Sequence, residues 1–131
     1  MARFVREVMT AGVTAVPPDA SLVEAAQLMR AQDIENVLVT RAGRVIGVLT
    51  DRDITLRAVA EGADPLTVSA QAVCTRPPVC VGPDDEVATA VTLMRRHAVR
   101  RLPVVAEGRP LGMVSLGDVA DHDTRGGVAP L

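Results

Sequence analysis

Gly47-Val-Leu-Thr50-Asp-Arg-Asp53 and Gly112-Met-Val-Ser115-Leu-Gly-Asp118 are one pattern written twice. Each reads glycine, two apolar residues, a hydroxyl residue, two variable positions and aspartate, and the copies stand 65 residues apart. Sliding the chain by that interval aligns it with itself without a gap. Met29-Arg30 falls on Met94-Arg95, Gly43-Arg44 on Gly108-Arg109, Pro18-Asp19 on Pro83-Asp84 and Val16 on Val81. Residues 8–54 give 14 identities with their counterparts, where ordinary composition gives about three by chance. The unmatched pairs are mostly conservative, such as Ile34/Val99, Ile46/Leu111 and Ile54/Val119. Two copies are too few for a solenoid, which needs three or more stacked repeats. The expectation is one domain with internal pseudo-two-fold symmetry, its two units burying apolar faces against each other.

Outward from the motif, each unit predicts the same element order. A short extended segment (Thr14–Pro17; Val79–Gly82) precedes a helix. In the first unit Ser21 and Glu24 form a capping box, and Leu22, Ala25, Ala26 and Met29 make one apolar stripe at helical spacing. In the second, Asp84 or Asp85 can cap, with Val87, Ala90, Val91 and Met94 on the matching stripe. Two strands joined by a turn follow: Val37–Thr40 and Val45–Leu49 around Ala42-Gly43, then Leu102–Val105 and Leu111–Val114 around Glu107-Gly108. A second helix closes each unit, Asp51–Glu61 and Leu116–His122. The fold class is therefore α/β, two β-α-β-β-α units with boundaries at 5–62 and 63–122, and residues 123–131 form a frayed tail rich in glycine.

Composition removes several functions. All 14 cationic side chains are Arg, which excludes a Walker lysine, a Schiff-base lysine and a lysine general base. Phe4 is the only aromatic residue, so a base-stacking surface for nucleic acid is not expected. The net charge of −2 agrees. Two His and two Cys are too few for a Cys/His zinc site, and no metal is expected. The start of the chain lacks the apolar run of a signal peptide, and no stretch is long enough to span a bilayer. A cytoplasmic protein without membrane contact is the expectation.

The motif places a hydroxyl at a helix start, with a carboxylate three residues on. Free N–H groups and the positive end of the helix dipole favour an anion there. The hydroxyl can donate to a phosphate, and the Asp can accept from both hydroxyls of a ribose. Thr50-x-x-Asp53 and Ser115-x-x-Asp118 equally fit a capping box that only starts a helix. Gly47 and Gly112 leave a strand bare, either for something approaching its backbone or for tighter packing. Cys74 and Cys80 lack metal-ligand spacing, and Cys80 reads as a small buried hydrophobe. His97, Arg95 and Arg96 read as a solvated helix face. No catalytic constellation emerges, so the chain reads as a non-enzyme.

The duplicated unit resembles the CBS domain, named for cystathionine β-synthase, and the pair resembles a Bateman module over about residues 5–122. The repeated glycine–hydroxyl–aspartate motif carries the resemblance. Val8-Met9-Thr10 and Val99-Arg-Arg-Leu-Pro-Val-Val105 support it. The resemblance implies a stand-alone regulatory or sensor module that binds adenosyl ligands (AMP, ADP, ATP or S-adenosylmethionine) between its repeats. The ligand is regulatory, and no catalytic cofactor is implied.

Carried over, it implies two sites. Site A uses Thr50 and Asp53 with Val79, Cys80, Val81, Arg100 and Arg101. Site B uses Ser115 and Asp118 with Thr14, Ala15, Val16, Asn36 and Val37. Arg100 and Arg101 suit a polyphosphate at site A, whereas Glu35 at site B repels one. The alternative function is a non-catalytic scaffold or stress-associated interaction protein with vestigial clefts. A homodimer is expected through the apolar helix residues Ile54, Leu56, Ala58, Val59, Val119 and Ala120, closed two-folds being the commonest assembly. A further protein partner, unidentified, would receive the signal.

Overall fold

The computed structural model describes residues 2–125, with side chains through residue 122. The element order is a 3₁₀ turn at Val5–Glu7, β1 (Thr10–Ala11), β2 (Ala15–Val16), α1 (Leu22–Gln32), β3 (Asn36–Arg41), β4 (Arg44–Thr50) and α2 (Asp51–Ile54). A π turn at Thr55–Val59, α3 (Ala70–Val73), α4 (Val87–His97), β5 (Arg101–Ala106), β6 (Arg109–Ser115) and α5 (Leu116–Arg125) follow. The protein is mixed α/β with two three-stranded sheets, ordered β2-β3-β4 and β1-β6-β5. Among the described residues no helix is long and apolar enough to cross a membrane.

Two compact units form, Thr14–Pro78 and Met1–Val13 with Val79–Leu131. They are cut differently from the sequence repeats, because the first thirteen residues are built into the second unit. There Val5 N–H donates to Asp85 O and Val87 N–H to Arg3 O, both at 2.9 Å. Thr10 pairs antiparallel with Met113. Residues 68–75 do the same work in the first unit: Leu22 N–H donates to Val68 O at 3.1 Å, Ala70 N–H to Ala20 O at 2.7 Å, and Thr75 bridges Val48.

Each unit has its own core. Val16, Leu22, Ala25, Met29, Val37, Val39, Leu49, Ala70 and Val73 are buried in the first. Their counterparts at the 65-residue offset, Val81, Val87, Ala90, Met94, Leu102, Val104, Val114, Val5 and Val8, are buried in the second. The repeat is thus a repeat of core positions, with helix stripes facing sheets. Matching turns join the paired strands. Ala42 and Gly43 take φ of 52° and 77°, and Glu107 and Gly108 take 53° and 79°. Two successive positive φ values fit the right-handed twist of a tight hairpin.

Several local expectations shift. Ser21 caps α1 by accepting from Glu24 N–H at 3.1 Å, but its hydroxyl donates back to Glu24 Oε1 at 3.4 Å rather than completing the reciprocal box. Neither Asp84 nor Asp85 caps α4: Asp84 pairs with Arg6, and Asp85 accepts from Gly82 N–H at 2.8 Å. The expected helix Asp51–Glu61 is α2 continued by the π turn, which Ala60 N–H closes onto Thr55 O at 2.9 Å. Helix α5 runs to Arg125, so the expected tail is helical at its start, and residues 126–131 lie outside the described residues.

Candidate functional site

The two motifs fold alike because each ends the last long strand of its sheet and opens a helix. Thr50 is extended at φ −110° and ψ 162°, and helical geometry begins at Asp51. Asp53 N–H donates to Thr50 Oγ1 at 3.0 Å, and Thr50 N–H donates to Asp53 Oδ2 at 3.0 Å. In the second unit Asp118 N–H donates to Ser115 Oγ at 3.0 Å, and Ser115 N–H donates to Asp118 Oδ2 at 3.2 Å. Both motifs are therefore closed, reciprocal capping boxes.

A box does not exhaust its groups. A hydroxyl keeps its O–H donor after accepting one bond, and a carboxylate offers about four acceptor sites. All four motif side chains are half-buried, neither sealed nor fully solvated.

The strand ladders set what stands beside each motif. Thr50 pairs across β3 with Asn36, and Asp51 N–H donates to Glu35 O at 3.0 Å. On the other side of β3, Ala15 pairs parallel with Leu38, and Leu38 N–H donates to Thr14 O at 2.9 Å. In the second unit Arg101 pairs with Ser115, Leu116 N–H donates to Arg100 O at 3.0 Å, and Val81 bridges Val104 in parallel.

The expected site residues thus gather at one end of each sheet. Thr14, Ala15, Val16, Asn36 and Val37 lie with Thr50 and Asp53. Val79, Cys80, Val81, Arg100 and Arg101 lie with Ser115 and Asp118. Val16, Val37 and Val81 send their side chains into the cores at 4 %, 0 % and 3 % exposure, and the Val81 backbone is spent on β5, its N–H donating to Pro103 O and its carbonyl accepting from Val105 N–H. Thr14, Asn36, Val79 and Cys80 are half-buried, and Ala15, Arg100 and Arg101 are exposed.

Gly47 and Gly112 answer the question of what approaches the bare strand. A Cβ on Gly47 would stand 2.6 Å from Cys74 Sγ and 3.0 Å from Thr75 O. A Cβ on Gly112 would collide with Thr10 O. The chain's own incoming segment fills the space in both units, so the glycines serve packing.

That segment brings residues the motif reading did not single out. Thr75 Oγ1 donates to Asp53 Oδ1 at 3.4 Å and lies 3.5 Å from Oδ2, a long and weak contact. Arg57 Nη1 donates to Cys74 O at 3.3 Å. Arg76 follows Thr75, its Cγ 3.0 Å from the Cβ position of Gly47. The sequence signal for Thr75 was present in its identity with Thr10 at the repeat offset. The arginines gave none, because their counterparts are His122 and Ala11.

Burial pushes the Cys74 thiol up from its ordinary value; Asp53 adds to this, while Arg76 and Arg57 oppose it. Burial likewise raises the Cys80 thiol, with Asp85 adding. Among the described residues no group of three or more His, Cys, Asp or Glu side chains is placed to hold a metal ion.

Comparison with known proteins gives this geometry a family. The CBS domain profile matches the chain twice, at residues 5–59 and 70–124. The CBS domain-containing protein YhcV of Bacillus subtilis is 38 % identical over 116 residues, covering 88 % of this chain and 82 % of its own length. Hypoxic response protein 1 of Mycobacterium tuberculosis is 37 % identical over 118 residues, covering 89 % and 82 %. A crystal structure of Hypoxic Response Protein I with two coordinated zinc ions superposes with a TM-score of 0.84 over 91 % of this chain and 98 % of that one. The CBS domain pair of protein MJ0100, solved with 5′-methylthioadenosine and S-adenosyl-L-methionine, shares the fold at a TM-score of 0.81 and 21 % identity, covering 97 % and 98 %. The repeated cores, the paired sheets and the doubled motif have one reading: the chain belongs to the CBS domain family and carries two copies of that domain in tandem.

Proposed function

We propose that this tandem pair, a module of regulatory type, binds adenosyl ligands at its two motifs and has no catalysis of its own. The observation that carries the reading is the state of the motif in both units. A hydroxyl and a carboxylate are locked together at a helix start, each with hydrogen-bonding capacity left over. An Asp so held can accept from the two ribose hydroxyls, and the Thr50 or Ser115 hydroxyl can donate to a phosphate.

Chain connectivity supports the division of residues between sites. The segment that lays Thr75 on Asp53 runs on to Val79, Cys80 and Val81, four to six residues further. Thr10, paired beside Gly112, runs on likewise to Thr14, Ala15 and Val16. In this reading Thr50 and Asp53 work with Val79–Val81, Arg100 and Arg101, and Ser115 and Asp118 work with Thr14–Val16, Asn36 and Val37.

The module acts in the cytoplasm as a homodimer, and ligand changes its affinity for a protein partner. Support for self-association is narrower than the helix composition suggests. Ala58 is fully buried and Ile54 packs on the first core, whereas Leu56 and Val59 remain 46 % and 59 % exposed. Val59 lines an apolar groove against α1 with Val23, Ala26, Ile54 and Pro65.

The rival reading, a scaffold whose clefts bind nothing, draws on the closed capping boxes. Calorimetric titration with AMP, ADP, ATP and S-adenosylmethionine separates the two. Saturable heat with any of them supports the ligand module, and none at millimolar concentration supports the scaffold.

A further inference from the structure

The first unit closes with a segment that returns from its π turn to the start of α1. Gly62 N–H donates to Val59 O and Ala63 N–H to Ala58 O, both at 3.0 Å. Gly62 takes φ of 72°, which turns the chain back, and Ala63 packs on the first core. The segment then serves two successive amides of the first helical turn, which have no partner inside the helix. Leu22 N–H donates to Val68 O at 3.1 Å, and Val23 N–H donates to Pro65 O at 3.2 Å.

The second unit shows half of this arrangement. At the repeat offset Leu22 and Val23 correspond to Val87 and Ala88. Val87 N–H donates to Arg3 O at 2.9 Å, so Arg3 stands where Val68 stands in the first unit. Ala88 is exposed, and its N–H has no hydrogen-bond partner among the described residues. The acceptor in the first unit is Pro65, whose counterpart is Pro130. Residues 126–131 repeat the return segment: Gly127, Pro130 and Leu131 are identical with Gly62, Pro65 and Leu66, and Val128 replaces Ala63. Helix α5 ends at Arg125, the counterpart of Ala60, whose N–H closes the π turn. The chain therefore leaves α5 in register with the first unit.

We propose that residues 126–131 form a strap that turns at Gly127 and docks on the start of α4, with Pro130 O accepting from Ala88 N–H. The strap ties the far end of α5, the helix that Ser115 and Asp118 open, to α4. Its composition suits that surface. Residues 126–131 carry no charged side chain. Val23, Ala26 and Ile54, which line one groove with Pro65 in the first unit, correspond to Ala88, Val91 and Val119, all apolar.

The test measures amide hydrogen exchange by NMR in the full chain, as wild type, Gly127→Val and Gly126→Ala. Val87, bonded to Arg3, reports whether the start of α4 is intact in each protein. In wild type Ala88 should exchange at least about tenfold more slowly than an unbonded amide. Gly127→Val should return Ala88 to the unbonded rate, because a β-branched residue is strained at positive φ. Gly126→Ala should leave Ala88 protected, since its counterpart Glu61 does not take positive φ. Exchange of wild-type Ala88 at the unbonded rate would overturn the strap, and this measurement depends on neither variant. Protection of Ala88 that survives Gly127→Val would overturn it as well.

Discussion

Thr50 and Asp53 close on each other through two hydrogen bonds of 3.0 Å, one from each backbone N–H to the other's side chain. The sequence poses capping and ligand binding as rivals for these residues. Their geometry makes the two compatible, because the cap uses one acceptor site on each side chain. In the proposed reading it also prepares the site, since a carboxylate pinned at a helix start would need no further ordering to receive a ribose. Ser115 and Asp118 repeat the arrangement, so each repeat presents a preformed acceptor.

The packing role of the motif glycines predicts unequal costs of substitution. Gly112→Ala drives a Cβ into the Thr10 carbonyl, a backbone group that cannot swing away. It should destabilise the protein by about 1–3 kcal/mol, the range for overpacking. Gly47→Ala meets the Cys74 sulfur first, so Cys74→Ala should recover part of its loss and none of that from Gly112→Ala. Urea midpoints of the single and double variants measure this coupling. Equal behaviour of both glycines toward Cys74→Ala would refute the packing assignment.

The first turn of the chain should be sensitive to acid. Glu7 Oε1 accepts from Phe4 N–H at 2.9 Å and from Arg3 N–H at 3.3 Å. The Phe4 bond does most to hold the Glu7 carboxyl below its ordinary value of 4.5; burial opposes it, and the Arg3 bond and His122 add to the lowering. A carboxyl lowered by folding stabilises the protein above the unfolded value, and that contribution is lost as pH falls through the folded one. Thermal melts between pH 3 and pH 6 (roughly the carboxylate range) should therefore show a steeper acid loss for wild type than for Glu7→Gln. Parallel curves would show that the cap contributes nothing.

Both thiols should react slowly near neutral pH. Burial raises Cys74 and Cys80, and the thiolate is the reactive form. Cys74, 4 % exposed, should be the slower of the two. Alkylation followed by mass spectrometry gives both rates. Modification of Cys74 as fast as a free thiol would show that its segment does not stay packed on Gly47.

Much of this architecture was legible because the repeat preserves what a core requires. Leu22 and Val87, Met29 and Met94, Val37 and Leu102 are similar in size at matching positions, and each pair is buried. The Ala42-Gly43 and Glu107-Gly108 turns were visible because tight hairpins need residues that accept positive φ. What stayed hidden was non-local. That Arg3–Ala11 completes the second unit depends on backbone bonds to Asp85, Val87 and Met113, and backbone pairing leaves no mark on side-chain identity. The π turn was hidden too, since Thr55–Val59 reads as ordinary helix and only its packing sends Ala58 inward. At the site, the motif pair was plain, but the contact of Thr75 with Asp53 required the antiparallel bridge of Thr75 with Val48 of β4.

The central claim is that the motif aspartates hold ligand as well as cap helices, and one comparison tests it most directly. Wild type, Asp53→Asn and Asp118→Asn are titrated with a fluorescent adenine nucleotide against a background free of Trp and Tyr, and melted in parallel. Asn still accepts a hydrogen bond at a helix start, so the melts should shift by only a few tenths of a kcal/mol. The lost charged acceptor for two ribose hydroxyls should weaken binding at least tenfold at the altered motif, about 1.4 kcal/mol. Unchanged affinity in both variants would contradict the claim and leave two capping boxes in a fold that binds its partners by other means.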